Sequence, residues 1–151
     1  MGIRELAAEA KVAEDAHKKA EKKRIWAVNA RRGEQTVKNL LGIEGKAHRA
    51  RNDEEKDHGD GTTVRLEDDL HVKVTVHPIY AKSTVYSRWD GANGIEAYEV
   101  YLMLADETGS TLMGTLDSKI KSLASLHDAL NTQDAYLAKK AEREAARAAK
   151  V

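Results

Sequence analysis

Six histidines, one acidic stretch, one Ser/His/Asp grouping and one run of cations are the places where this chain could do chemistry. His71 and His77 fall on one face of an alternating segment, but six residues of strand put them about 20 Å apart, too far to share an ion. His17, His48, His58 and His127 lie in separate segments without HxxxH or HExxH spacing, so they read as surface side chains rather than metal ligands. Asn52 to Asp60 superficially resembles a calcium loop. Counted from Asp53, however, position six is His58 and position twelve is Val64, where an EF-hand needs glycine and glutamate. Ser125, His127 and Asp128 are close in sequence, yet on a helix His127 points away from the other two. No nucleophile elbow accompanies them. Asp68 and Asp69 are explained by turn chemistry. Gly91 and Gly94 stand between two strands, where a phosphate-binding loop would be followed by a helix. No catalytic residue, metal site or cofactor is expected.

Charge gives a stronger signal. Lys18, Lys19, Lys22, Lys23, Arg24, Arg31 and Arg32 are opposed within their run only by Glu21. Lys18–Lys22 and Lys19–Lys23 sit four apart and repel by a few tenths of a kcal/mol each, roughly. Like charge held together at a cost hints at an anionic partner, and Trp26 would be placed to stack on a base. The competing reading is a solvated helix face with Trp26 in the core. A second aromatic-basic patch would form on the outer sheet face if Tyr86 and Arg88 neighbour Tyr101 and Met103. The N-terminal helix needs a docking surface, which favours those aromatics being core instead.

The elements that would position these residues follow from pattern. Residues 3–31 are rich in Ala, Glu and Lys and read as one helix. Ile3, Leu6, Ala10 and Ala13 recur at alternating three and four, like a coiled-coil seam, and are the expected oligomer contact. Alanine buries little, so the seam needs a partner. Gly33 is expected to break the helix. Val37, Leu40, Leu41 and Ile43 form a short docking turn stopped by Gly42 and Gly45. Residues 44–61 read as a polar, mobile linker.

Strands come next. Val64 and Leu66 mark the first, and Glu67 to Asp69 the turn. Val72, Val74 and Val76 alternate toward a core, with His71, Lys73, Thr75 and His77 facing out. Pro78 ends that strand. Further strands are expected at residues 84–89, 95–105 and 110–116. With no helix between them, they predict an antiparallel meander of about five strands. Ser122 is a candidate N-cap for a helix whose Leu123, Leu126 and Leu130 cover the sheet. Thr132 to Asp134 look like a second helix start, and the tail beyond Tyr136 has little to bury. The expected fold class is α+β, divided into a helical arm and docking turn (1–43), a linker (44–61), a sheet with covering helix (62–131) and an Ala-rich helix (132–151).

At 151 residues this is one ordinary domain, 41% hydrophobic and 33% charged. It has no cysteine, which excludes disulfides, thiolate zinc sites and a cysteine nucleophile. No secretory signal and no apolar run of bilayer length is visible, so the expectation is a cytoplasmic protein without membrane contact. Formal net charge is zero but uneven: +4 over residues 1–32, −2 over 33–61, −4 over 62–115 and +2 over 116–151. Basic ends around an acidic centre favour contact between ends and centre, within one chain or between chains.

The order of parts, with Leu40 to Glu44 (LLGIE) and Ser122 to Leu130 (SLASLHDAL), resembles small uncharacterised proteins of bacteriophages, especially those of actinobacteria. The resemblance implies a role in the host cytoplasm and a host or phage protein as partner, and it carries no activity. The zinc-type cysteine pair common in such chains does not apply here. The expectation is thus a non-enzymatic interaction module, a homo-oligomer through its helical ends. The alternative is a nucleic-acid-binding protein using the basic helix.

Overall fold

Residues 2–54, 59–80 and 94–150 are described by the computed structural model. The Ala/Glu/Lys-rich start and the docking turn form one continuous helix, α1, over Ile3–Leu41. Its 39 residues make it about 58 Å long at 1.5 Å per residue. Asn29, Ala30, Gly33, Val37 and Leu41 are its buried positions, a stripe at helical spacing confined to the C-terminal third. Gly33 does not break the helix. A Cβ there would stand 2.9 Å from Thr62 Cγ2, so the missing side chain lets the helix lie close on the strand that follows Thr62. Gly42 ends α1 in the left-handed conformation, φ 72°, and its N–H donates to the Lys38 carbonyl.

Four antiparallel strands follow in spatial order: β1 (Lys46–His48), β2 (Thr63–Glu67), β3 (Leu70–Tyr80) and β4 (Ile95–Ala105). The alternating valines of β3 lie as expected. Val72 pairs with Val64 and Leu104, and Val74 with Leu102, all buried on the face that receives Val37 and Leu41 of α1. Helix α2 (Leu123–Ala149) closes the core with Leu126 and Ala129. Ser122 caps it in a reciprocal pair with Ser125. The described fold is therefore α+β with long N- and C-terminal helices.

Several expectations are corrected. The described sheet has four strands rather than about five. Of the strand expected over 110–116, only Thr111 bridges to Ala105, and Met113–Thr115 is a 3-10 turn. Gly114 in this turn packs closely under α2; a Cβ on it would meet Tyr136 Cβ at 2.6 Å. Ile120 instead bonds Leu102 in both directions at 2.9 Å. The expected strand over residues 84–89 and the Gly91 turn lie outside the described residues. Residues 44–61 are not simply a linker, since they supply β1 and a covering loop. Asn52 N–H donates to Thr108 O, and the Asp53 carboxylate accepts from the Thr63 amide and hydroxyl. Thr132 starts no new helix; its hydroxyl donates back to Asp128 O inside α2.

Candidate functional site

Alternation along each strand and the antiparallel register set the sheet's second face. Lys46 stands opposite Arg65, and Arg65 opposite His71, so three basic side chains form one row across β1, β2 and β3. His48 lies two residues along from Lys46, in register with Thr63. The turn after β4 and the loop after β1 fold over this face. Lys73 ties them down, donating to Asn52 O at 3.1 Å and Gly109 O at 2.9 Å. Gly109 takes φ 82° under this loop, where a Cβ would collide with Asp53 and Thr63.

This cover leaves a cleft of about 610 Å³ at the β1 end of the sheet. Lys46, Arg51 and Arg65 line it with His48 and His71, and Asp68 and Glu107 complete its charged lining. The expectation that His71 faces solvent is corrected: it is 8% exposed, because the loop lies over it. Its ring meets that of His48 edge-on, centroids 5.1 Å apart. His48 Nε2 is 2.9 Å from Glu107 O, while Nδ1 of both rings is buried without a partner among the described residues. Burial, then the neighbouring His48, holds His71 below the ordinary histidine pKa. Among the described residues, Lys46, Arg51 and Arg65 form no ion pair or side-chain hydrogen bond.

The expected acidic loop serves the fold rather than an ion. Asp53 holds Thr63, and Asp60 accepts from the Val76 amide at 3.0 Å. Asp106 accepts from Thr108 and Ser110 in its turn, which keeps its carboxyl below the usual range. Of the Ser125, His127 and Asp128 grouping, Ser125 is spent on the helix cap. No group of three or more His, Cys, Asp or Glu residues able to hold a metal ion occurs among the described residues.

The basic run lies on α1, mostly before its buried stripe. At 100° per residue its seven cations spread around much of the helix rather than forming one row. Lys18 pairs with Glu14 at 2.9 Å, and Arg24 with Glu21. Lys19, Lys22 and Lys23 are exposed and without such pairs among the described residues. Trp26 is packed against the core and covered by the Arg49 guanidinium, 5.2 Å from the ring centroid. Arg31 and Arg32 sit where α1 meets the sheet, Arg32 beside Tyr98 and Val100. Tyr101 of the outer face lies beneath Lys119, 5.0 Å away; Tyr86 and Arg88 fall outside the described residues.

The seam residues Ile3, Leu6, Ala10 and Ala13 are all exposed, on the part of α1 that runs clear of the sheet. No protein-family model, curated protein or solved structure matches the chain. Among the described residues no helix is long and apolar enough to cross a membrane.

Proposed function

We propose that this chain is a non-enzymatic, phage-type protein-interaction module that self-associates through its helical arms. One observation carries the reading: residues 3–20 of α1 form continuous helix in which every residue is exposed, with Ile3 85% and Leu6 52% exposed. A stretch exposed along its whole length is held helical mainly by propensity, since most helical stability in proteins comes from packing an apolar face. A second copy packed along Ile3, Leu6, Ala10 and Ala13 would supply the missing contact. Charge fits that occupant, since arms of +4 and +2 flank a centre of −4 in the same chain.

The test is solution mass by light scattering on a sizing column, for wild type and for Ile3→Asp with Leu6→Asp. A dimer or larger that becomes monomeric in the double variant, at an unchanged urea midpoint, supports the reading. A monomer at every concentration overturns it.

The exposed Lys19, Lys22 and Lys23 support the second reading, a nucleic-acid contact along α1. That reading requires a mass shift with a short duplex or single strand at low salt, reversed at moderate salt. The shift must be lost in Lys22→Gln with Lys23→Gln.

A further inference from the structure

We propose that the cleft between β1, β2 and the turn after β4 binds the phosphate group of a small molecule, through Lys46, Arg51 and Arg65 with His48 and His71 behind them. The inference is independent of the helical arms, which lie elsewhere.

Three observations carry it. First, Lys46 and Arg65 are direct partners across the β1–β2 ladder. Like charges at such a position are destabilising, with Cβ atoms about 5 Å apart. Arg51 joins them in the same cleft, and none of the three finds an ion-pair partner among the described residues. Such an arrangement suits an anion. Second, His71 is 8% exposed and lines the cleft, with a buried Nδ1 that has no partner among the described residues. His48 Nδ1 is in the same state. Buried polar atoms are nearly always satisfied, so these two orphans mark a polar pair left unsettled directly behind the cleft's cationic lining. Third, the cleft is about 610 Å³, within the range of roughly 300–1,000 Å³ typical of small-molecule sites.

The chemistry selects phosphate. Two guanidinium forks and an ammonium present donors that match the several oxygens of a tetrahedral oxyanion. Asp68 and Glu107 offset two of the three cationic side chains, so the Lys, Arg, Asp and Glu residues of the lining sum to a net +1. Binding of a dianion therefore favours the charged form of His71. The groups around His71 are His48 from β1, Arg65 from β2, and Asp106 and Glu107 from the turn after β4. A phosphate against Arg65 would outweigh the two lining carboxylates as a partner for imidazolium.

Inorganic phosphate, with chloride at matched ionic strength as the blank, is titrated into the full chain while the imidazole C–H resonances of His48 and His71 are followed by NMR. Adenosine monophosphate and ribose 5-phosphate are titrated in parallel. The expected result is a saturable shift of both imidazoles with phosphate. In Lys46→Gln with Arg65→Gln the affinity falls at least about tenfold, as expected for losing charged hydrogen bonds. Both side chains are exposed, so the urea midpoint of that variant stays level or rises as the repulsion is removed. Arg51→Gln, likewise exposed, gives a second readout should the double variant not fold. Tighter binding of the monoesters would assign an organic phosphate as the source, and equal binding free phosphate. No shift beyond the chloride blank, or a shift unchanged in the variants, overturns the proposal.

Discussion

His48 and His71 meet edge to face on the second side of the sheet, their planes inclined at 68° and each Nδ1 buried without a partner among the described residues. His71 makes folding sensitive to acid. His71 is held below its ordinary pKa of 6.5, first by burial and then by His48. As pH falls, the unfolded chain therefore takes up this proton before the folded one does. The stabilisation is fully present above pH 6.5 and is lost as pH drops through the lowered value. Urea midpoints measured at steps between pH 7.5 and 5.5 should decline. His71→Phe, which cannot titrate, should flatten that slope; an equal slope in the variant would remove His71 as its cause.

Asp53 and Thr63 close the loop that covers this pair. One carboxylate oxygen accepts the Thr63 amide at 2.9 Å, the other its hydroxyl, and Thr63 is fully buried. Asp53→Ala strands both donors, at a cost of about 1–3 kcal/mol per buried group left unsatisfied. Urea unfolding should show that loss, with a smaller one for Asp53→Asn, which keeps a single acceptor oxygen. The same variant should expose His71, so its imidazole resonance should titrate nearer the ordinary histidine value.

Gly33 offers a test in which two principles oppose each other. In an exposed helix interior Gly→Ala would gain about 1 kcal/mol. Here a Cβ would stand 2.9 Å from Thr62 Cγ2 and 3.2 Å from Thr62 Cβ. Overpacking of this kind costs about 1–3 kcal/mol, so Gly33→Ala should destabilise. Thr62→Ser removes the closer of those two atoms, and the double variant should recover part of the loss. The coupling is read from the cycle of urea midpoints. A stabilised single variant would show that the helix shifts freely on the sheet.

Gly33 also shows where local pattern stops being informative. A glycine inside a helical stretch looks like a stop because its cost is local, while its reason, Thr62, lies far along the chain. Thr132 and Asp134 have the residue types of a helix start, yet Thr132 is absorbed by a bond to Asp128 O within α2. By contrast Val72, Val74 and Val76, the Ser122 cap and the Gly42 stop were legible, since each is set by neighbours within a few residues. β1 was not, because three residues are too few to show alternation. The cleft was invisible for the same reason. Lys46, Arg65 and His71 become one row only through strand register, and His71 has His48 and the turn after β4 beside it, neither of which is near it in sequence. The seven cations of α1 were the louder signal in sequence, but on the helix they disperse around its circumference.

The seam of α1 predicts a link between association and local order. Residues 3–20 are exposed throughout, so packing contributes little to holding them helical, and exposed helix ends fray readily. If a second copy supplies the contact, backbone amides of this stretch should be protected from hydrogen exchange at high protein concentration and lose protection on dilution. Ile3→Asp with Leu6→Asp should abolish the protection at every concentration, while the amides of β3 and β4 keep theirs, because the core rests on Val72, Val74, Leu102 and Leu104. Protection of residues 3–20 that is independent of concentration and survives both substitutions would mean that the arm is stable alone, and its exposed seam would then lose its claim as the oligomer contact.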